Sequence, residues 1–90
     1  ISGGEGINDV ADVFQLKIFP NPVSDFMQVE FENTENYILY LFDLSGKLLS
    51  VKPSQARSVN IDMSKLPSGN YIFSIENEQG AKVVRKISKL

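Results

Sequence analysis

Met27-Gln28-Val29-Glu30-Phe31-Glu32 alternates apolar and polar residues without a break. In an extended chain successive side chains point to opposite faces, so Met27, Val29 and Phe31 face one way and Gln28, Glu30 and Glu32 the other. This is a strand with one dry face and one wet face, and its neighbours follow the same period. Upstream, residues 14–19 put Phe14, Leu16 and Ile18 on one face, and the run ends at Pro20-Asn21-Pro22 because proline cannot donate to a ladder. Downstream, residues 36–43 are apolar on both faces, with Tyr37, Leu39 and Leu41 opposed to Ile38, Tyr40 and Phe42. That pattern predicts a central strand, or one whose outer face is covered by a linker or a partner.

Turn chemistry divides the remainder. Asp43-Leu44-Ser45-Gly46 reads as a type I turn with Gly46 free to take positive φ, which makes a hairpin to a strand over residues 47–52. Residues 57–63 place Val59, Ile61 and Met63 on one side, and residues 63–66 have room for a single helical turn. Leu66-Pro67-Ser68-Gly69 turns tightly into residues 70–76, where Tyr71, Phe73 and Ile75 share a face. Asn77-Glu78-Gln79-Gly80 then opens a hairpin to a last strand over residues 81–88. Its alternation breaks at Val83-Val84, which predicts a bulge or a short stretch apolar on both faces. Short strands with turn signals about every 8–12 residues and no helical period predict an all-β fold. The expected architecture is a seven-stranded antiparallel β-sandwich of immunoglobulin-like type.

Composition sets the limits. Ninety residues suit one domain, and Leu, Ile, Val and Phe supply a third of them, too many for a disordered chain. Residues 1–13, with Gly3, Gly4 and Gly6, read as a flexible linker ahead of a domain over 14–90. No apolar run approaches the ~20 residues of a membrane span. The chain begins with Ile and carries no signal peptide, which reads as a fragment whose export signal lies elsewhere on its parent. With neither Cys nor His, disulfides, thiol nucleophiles, His-based triads and His–metal sites are excluded.

The net charge of −2 is divided unevenly: residues 1–43 carry −7 and residues 44–90 carry +5. After Glu78 every charged residue is basic, namely Lys82, Arg85, Lys86 and Lys89. Either these cations form an interaction tail or the basic strand lies against the acidic half of the fold. Nucleic acid is a poor partner for a chain of net negative charge.

The remaining candidates carry little chemistry. Glu30 and Glu32 share a solvated face, with nothing to raise either pKa. Asn8, Asp9 and Asp12 lack the spacing of a calcium loop. Ser24, Asp25 and Ser45 sit in turns without a base, and Gly3-Gly4-Glu5-Gly6 precedes no strand–turn–helix. Tyr37, Tyr40 and Tyr71 offer either core packing or a sugar-stacking platform. No catalytic residue, cofactor or metal is expected.

Several motifs, in order, do resemble one family. Phe19-Pro20-Asn21-Pro22-Val23-Ser24-Asp25 looks like the "PNP" signature that opens the C-terminal sorting domain of type IX secretion cargo in Bacteroidetes, with Phe19 where Tyr is common. The segment Leu41 to Leu48, with Asp43, Gly46 and Lys47, is similar to that family's "D-x-x-G-K" turn. Leu66-Pro67-Ser68-Gly69-Asn70-Tyr71 resembles its "L-x-x-G-x-Y" motif, and the stretch from Lys82 to Leu90 resembles its basic, apolar last strand.

The resemblance implies an address rather than an enzyme. A covalently attached N-terminal passenger reaches the periplasm, and the domain is then read by the type IX outer-membrane translocon and its shuttle proteins. At the cell surface a sortase-like cysteine protease removes the domain in many members, and the cut is expected within residues 1–13. Recognition is expected at the last strand, through β-augmentation of an open edge and orientation by Lys82, Arg85, Lys86 and Lys89, ending at Leu90. Those cations otherwise serve to protect the edge from aggregation, and an exposed edge also leaves open the pairing of two copies. Removing residues 86–90 is expected to block export while the domain still folds. The alternatives are an immunoglobulin- or fibronectin-like adhesive spacer and a carbohydrate-binding module.

Overall fold

The computed structural model describes residues 15–90. The expected linker over residues 1–13, Phe14 and the Asn8, Asp9 and Asp12 cluster lie outside the described residues. Seven strands follow in chain order: β1 (Leu16–Phe19), β2 (Phe26–Phe31), β3 (Tyr37–Asp43), β4 (Leu48–Ser54), β5 (Ser58–Asp62), β6 (Gly69–Asn77) and β7 (Lys82–Lys89). They form a three-stranded sheet, β1-β2-β5, and a four-stranded sheet, β4-β3-β6-β7, antiparallel throughout. The two sheets pack as an immunoglobulin-like sandwich.

Period-two alternation fills the space between the sheets. Met27, Val29, Phe31, Val59 and Ile61 face inward from the first sheet. Tyr37, Leu39, Leu41, Tyr71, Phe73, Ile75, Val83 and Ile87 face them from the second. Val23 and Met63, both outside the strands, are also completely buried and close the core at its ends. Burial of apolar area at about 25 cal/mol per Å² is the main force holding the two layers together. β3 is central, as its sequence predicts, between β4 and β6.

Two hairpin turns share one design. Asp43 Oδ1 accepts hydrogen bonds from Ser45 N (2.9 Å), Ser45 Oγ (2.6 Å) and Lys47 N (3.0 Å). Asn77 Oδ1 accepts in the same way from Gln79 N (3.1 Å) and Ala81 N (2.9 Å). In each, the glycine three residues on has positive φ, 92° at Gly46 and 84° at Gly80. An Asp or Asn that satisfies the turn amides, followed by a glycine in the left-handed region, is the reason for the D-x-x-G pattern.

The crossing from β5 to β6 uses a different lock. Leu66 N donates to Met63 O at 3.1 Å, closing the single turn expected there. Tyr71 then reaches back four residues and donates its hydroxyl to Pro67 O at 2.6 Å. Its ring stays in the core while its polar tip ties down the corner, as in the tyrosine corner of immunoglobulin-like sandwiches. Gly69, at φ 147°, lets the chain swing between them.

Of the two expectations at Val83-Val84, the second holds. β7 pairs with β6 in continuous register through Val83 and Val84, so no bulge lies there. Val83 enters the core and Val84 faces out, which leaves the second expectation, an apolar stretch on both faces. The register shift falls instead between Leu41 and Phe42, where β3 meets β4.

A Cβ at Gly69 or Gly80 would meet no neighbouring atom, so the cost of Ala there is backbone conformation alone. Gly69→Ala and Gly80→Ala should each lower stability by about 1 kcal/mol, read as a reduced urea midpoint with unchanged slope. The hydroxyl of Ser45 and the amide of Lys47 hold the Asp43 carboxyl below its ordinary value, and Ser64 does the same to Asp62. A depressed carboxylate stabilises the fold above its unfolded value and loses that contribution as pH falls through the folded one. Asp43→Asn should therefore lose less thermal stability than the parent as pH falls below about 4.

Candidate functional site at the edge of the last strand

β7 is one of the two edge strands of the four-stranded sheet, with β4 at the other edge, and the two ends of β7 are treated differently. The chain leaves β1 at Phe19 and passes through Pro20-Asn21-Pro22, both prolines following cis peptide bonds. Neither proline has an N–H, so the segment cannot continue a ladder beside β2. Val23 supplies the next useful pair: its N donates to Ser88 O and its O accepts from Leu90 N, both at 2.8 Å. Asn21 Oδ1 accepts from Ser88 N at 3.2 Å. Residues 20–23 thus form a strap that crosses from one sheet to the far edge of the other.

The strap reveals which backbone groups of β7 face outward. N–H and C=O directions alternate along a strand. Since those of Ser88 meet the strap, those of Lys86, Val84 and Lys82 point to the same side. Among the described residues no backbone group pairs with them; Val84 O accepts only from Arg85 Nη1, at 3.3 Å. The edge open to another strand therefore consists of the outward groups of Lys82, Val84 and Lys86, with Val84 O held by the Arg85 guanidinium, and the carboxy-terminal end is closed.

Side chains alternate as well, and this divides the four expected cations. Lys82 and Lys86 stand exposed on the outer face of the sheet, on either side of Val84. Arg85 lies on the core side in line with Val83 and Ile87, half-buried at the rim. Lys89 is also half-buried, with Nζ donating to Leu90 O at 3.0 Å, and the Leu90 side chain is exposed. The structure brings Lys82 and Lys86 together and leaves Arg85 and Lys89 off their face.

The motif residues have structural duties. Pro20, Asn21 and Pro22 build the strap, and Asp43, Gly46 and Lys47 build the first hairpin turn. Leu66, Gly69 and Tyr71 make the corner, and Gly80 completes the second turn. Gly3, Gly4 and Gly6, the expected cleavage region, lie outside the described residues.

The tyrosines do not form a platform. Tyr37 and Tyr71 point into the core, where Tyr37 stacks on Phe31 with ring centroids 3.7 Å apart. Burial is the main reason that the Tyr37 hydroxyl is raised above its ordinary pKa. Tyr40 alone lies on the outer face, its hydroxyl 3.4 Å from Glu76 Oε1. Among the described residues no three acidic or other ligating side chains gather to hold a metal.

The outer face of the four-stranded sheet is the surface that the sequence reading left open to a linker or a partner. The register lines up Val51, Tyr40, Ser74 and Val84 across the strands, with Leu48, Phe42, Ile72 and Lys86 in the adjacent row. Val51 and Val84 are 50% and 53% exposed, so this apolar surface is open among the described residues. The two-sided apolar pattern of β3 was its signal in the sequence.

An immunoglobulin-like sandwich whose last strand forms a partly open sheet edge defines the structural class. The chain is similar to a solved DUF3244-family protein with an immunoglobulin-like β-sandwich fold from Bacteroides vulgatus. The TM-score is 0.72 at 11% identity, covering 86% of this chain and 96% of that one. No curated protein matches the chain significantly. The model of the secretion-system C-terminal sorting domain matches residues 17–89, and the chain belongs to that family. Its members are sorting signals of type IX secretion, which implies an attached passenger, interaction with the secretion system and export to the cell surface or medium. Sorting domains with this fold are typically non-catalytic.

The expectation that residues 86–90 are dispensable for folding is not supported by their positions. Ile87 is 1% exposed, and Ser88 and Leu90 hold the strap. Removing residues 86–90 should cost more than the ~2–5 kcal/mol of an Ile→Ala core truncation and leave the isolated domain largely unfolded. Lys82→Glu with Lys86→Glu should keep the native circular dichroism spectrum and lower the urea midpoint only slightly, because Lys82 stands opposite Glu76 at an exposed position.

Proposed function

We propose that this domain is the address of an exported passenger, read in the folded state by the outer-membrane translocon of type IX secretion and its shuttle proteins. The passenger enters the periplasm by ordinary export, where the domain folds and presents β7. The match of residues 17–89 to the sorting family carries this reading. The position of β7 supports it, since an edge strand with free backbone groups is a surface that another chain can extend. On arrival at the surface, a sortase-like cysteine protease severs the domain within residues 1–13, where Gly3, Gly4 and Gly6 impose little conformation of their own. The passenger then remains on the surface or enters the medium. The domain's own contribution is recognition, with no cofactor or metal.

Residues 1–90 fused behind a reporter with an export signal test this directly. In cells with a working type IX system the reporter should become protease-accessible at the surface or appear in the medium. In cells lacking the translocon it should stay in the periplasm. Equal display in both strains, or retention in both, would refute the reading. Mass spectrometry of the released reporter should place its new carboxy terminus within residues 1–13.

A further inference from the structure

The free edge of β7 has a definite pattern as well as a position. Lys82, Val84 and Lys86 present outward backbone groups at two-residue spacing, and their side chains lie on one face in the order cation, apolar, cation. The strap at Val23 ends this edge at Ser88, so an added strand has about five residues of β7 to pair with. Directly opposed side chains in neighbouring strands interact, favourably when their charges are opposite and unfavourably when they are alike.

We propose that this edge accepts an extended segment of a partner protein bearing acid, apolar and acid side chains at positions i, i+2 and i+4. This rests on the sorting reading and names the chemistry of the partner that reads the strand. The central apolar residue lies opposite Val84 and lengthens the row of Val84, Ser74, Tyr40 and Val51. The flanking acids lie opposite Lys82 and Lys86, and main-chain hydrogen bonds supply sequence-independent affinity. A second copy of this chain fits poorly. Antiparallel pairing about Val84 sets each Lys82 against the other copy's Lys86, and parallel pairing sets like against like.

The test uses the full 90-residue chain, ¹⁵N-labelled, and two capped synthetic peptides, Thr-Glu-Thr-Val-Thr-Glu-Thr and the same peptide with Lys in place of Glu. The acidic peptide should bind, shift the amide resonances of residues 82–86, and slow hydrogen exchange at Lys82, Val84 and Lys86. The lysine peptide should bind about tenfold more weakly or worse, from two charge pairs reversed in sign. The double variant Lys82→Glu, Lys86→Glu should reverse that preference. Equal binding of both peptides, shifts confined to another strand, or concentration-dependent dimers paired through β7 would overturn the proposal. So would binding that emerges only after Glu5→Gln and Asp9→Asn, because the chain's own acids would then be the occupant. The assay is independent of secretion. Failure here with reporter export intact removes only the acidic-strand partner, whereas peptide binding without export removes the sorting reading.

Discussion

The pair of hydrogen bonds between Val23 and the end of β7 is the constraint on which the architecture turns. The three-stranded and four-stranded sheets are otherwise joined by packing, by the loops between successive strands and by an exposed side-chain bond from Lys52 Nζ to Asn60 O at 3.3 Å. Val23 N to Ser88 O and Leu90 N to Val23 O join the first strand's exit to the last strand's end, some sixty-five residues apart in sequence. The completely buried Val23 side chain adds a core contact at the same place. Backbone pairing of this kind fixes register, because a shift of one residue would move Ile87 out of the core and Lys86 into it. Pro20 and Pro22 contribute by what they lack: without an N–H at either position the chain leaves the first sheet and is free to cross.

Elements governed by local chemistry were legible in the sequence. The strands follow from two-residue alternation at Met27–Phe31 and Tyr71–Ile75, and the hairpins from an Asp or Asn whose side-chain Oδ1 satisfies turn amides on both sides of a glycine with positive φ. At Val83-Val84 the sequence left two readings open, and the apolar stretch on both faces is the one that holds. Val83-Val84 interrupts the polar–apolar alternation, but a broken pattern has two physical sources: an extra residue or an apolar outer face. Here the outer face is apolar, and Val84 continues a row that already holds Tyr40 and Val51. The irregularity opposite Leu41/Phe42 belongs to β4, where Leu49 is the extra residue between Ser50 and Leu48, and Leu48-Leu49 breaks the alternation there just as Val83-Val84 does in β7.

The candidate site was legible only in outline. Composition showed that the carboxy-terminal segment is basic, and it is a strand at a sheet edge. Which cations share a face depends on the strand's period: Lys82 and Lys86 are four apart and agree, while Arg85 and Lys89 have the opposite parity. Backbone availability was not in the sequence at all. It depends on a strap contributed by residues 20–23, and Pro-Asn-Pro reads locally as nothing more than a chain break.

These observations separate two roles that the last strand combines. Its carboxy-terminal end is structural: Ile87 fills the core, and Ser88 and Leu90 anchor the strap. Its amino-terminal end presents outward backbone groups at Lys82, Val84 and Lys86 that pair with no other strand among the described residues, beside outward cations of which Lys82 faces Glu76 across the sheet. A truncation from the carboxy terminus removes the anchor before it reaches the free edge, so a loss of export after truncation would report unfolding as much as lost recognition. Charge reversal at Lys82 and Lys86 touches neither the core nor the strap. The motif residues that carry the resemblance build the scaffold, and the ones available to a partner are ordinary lysines whose meaning comes from where the scaffold leaves them.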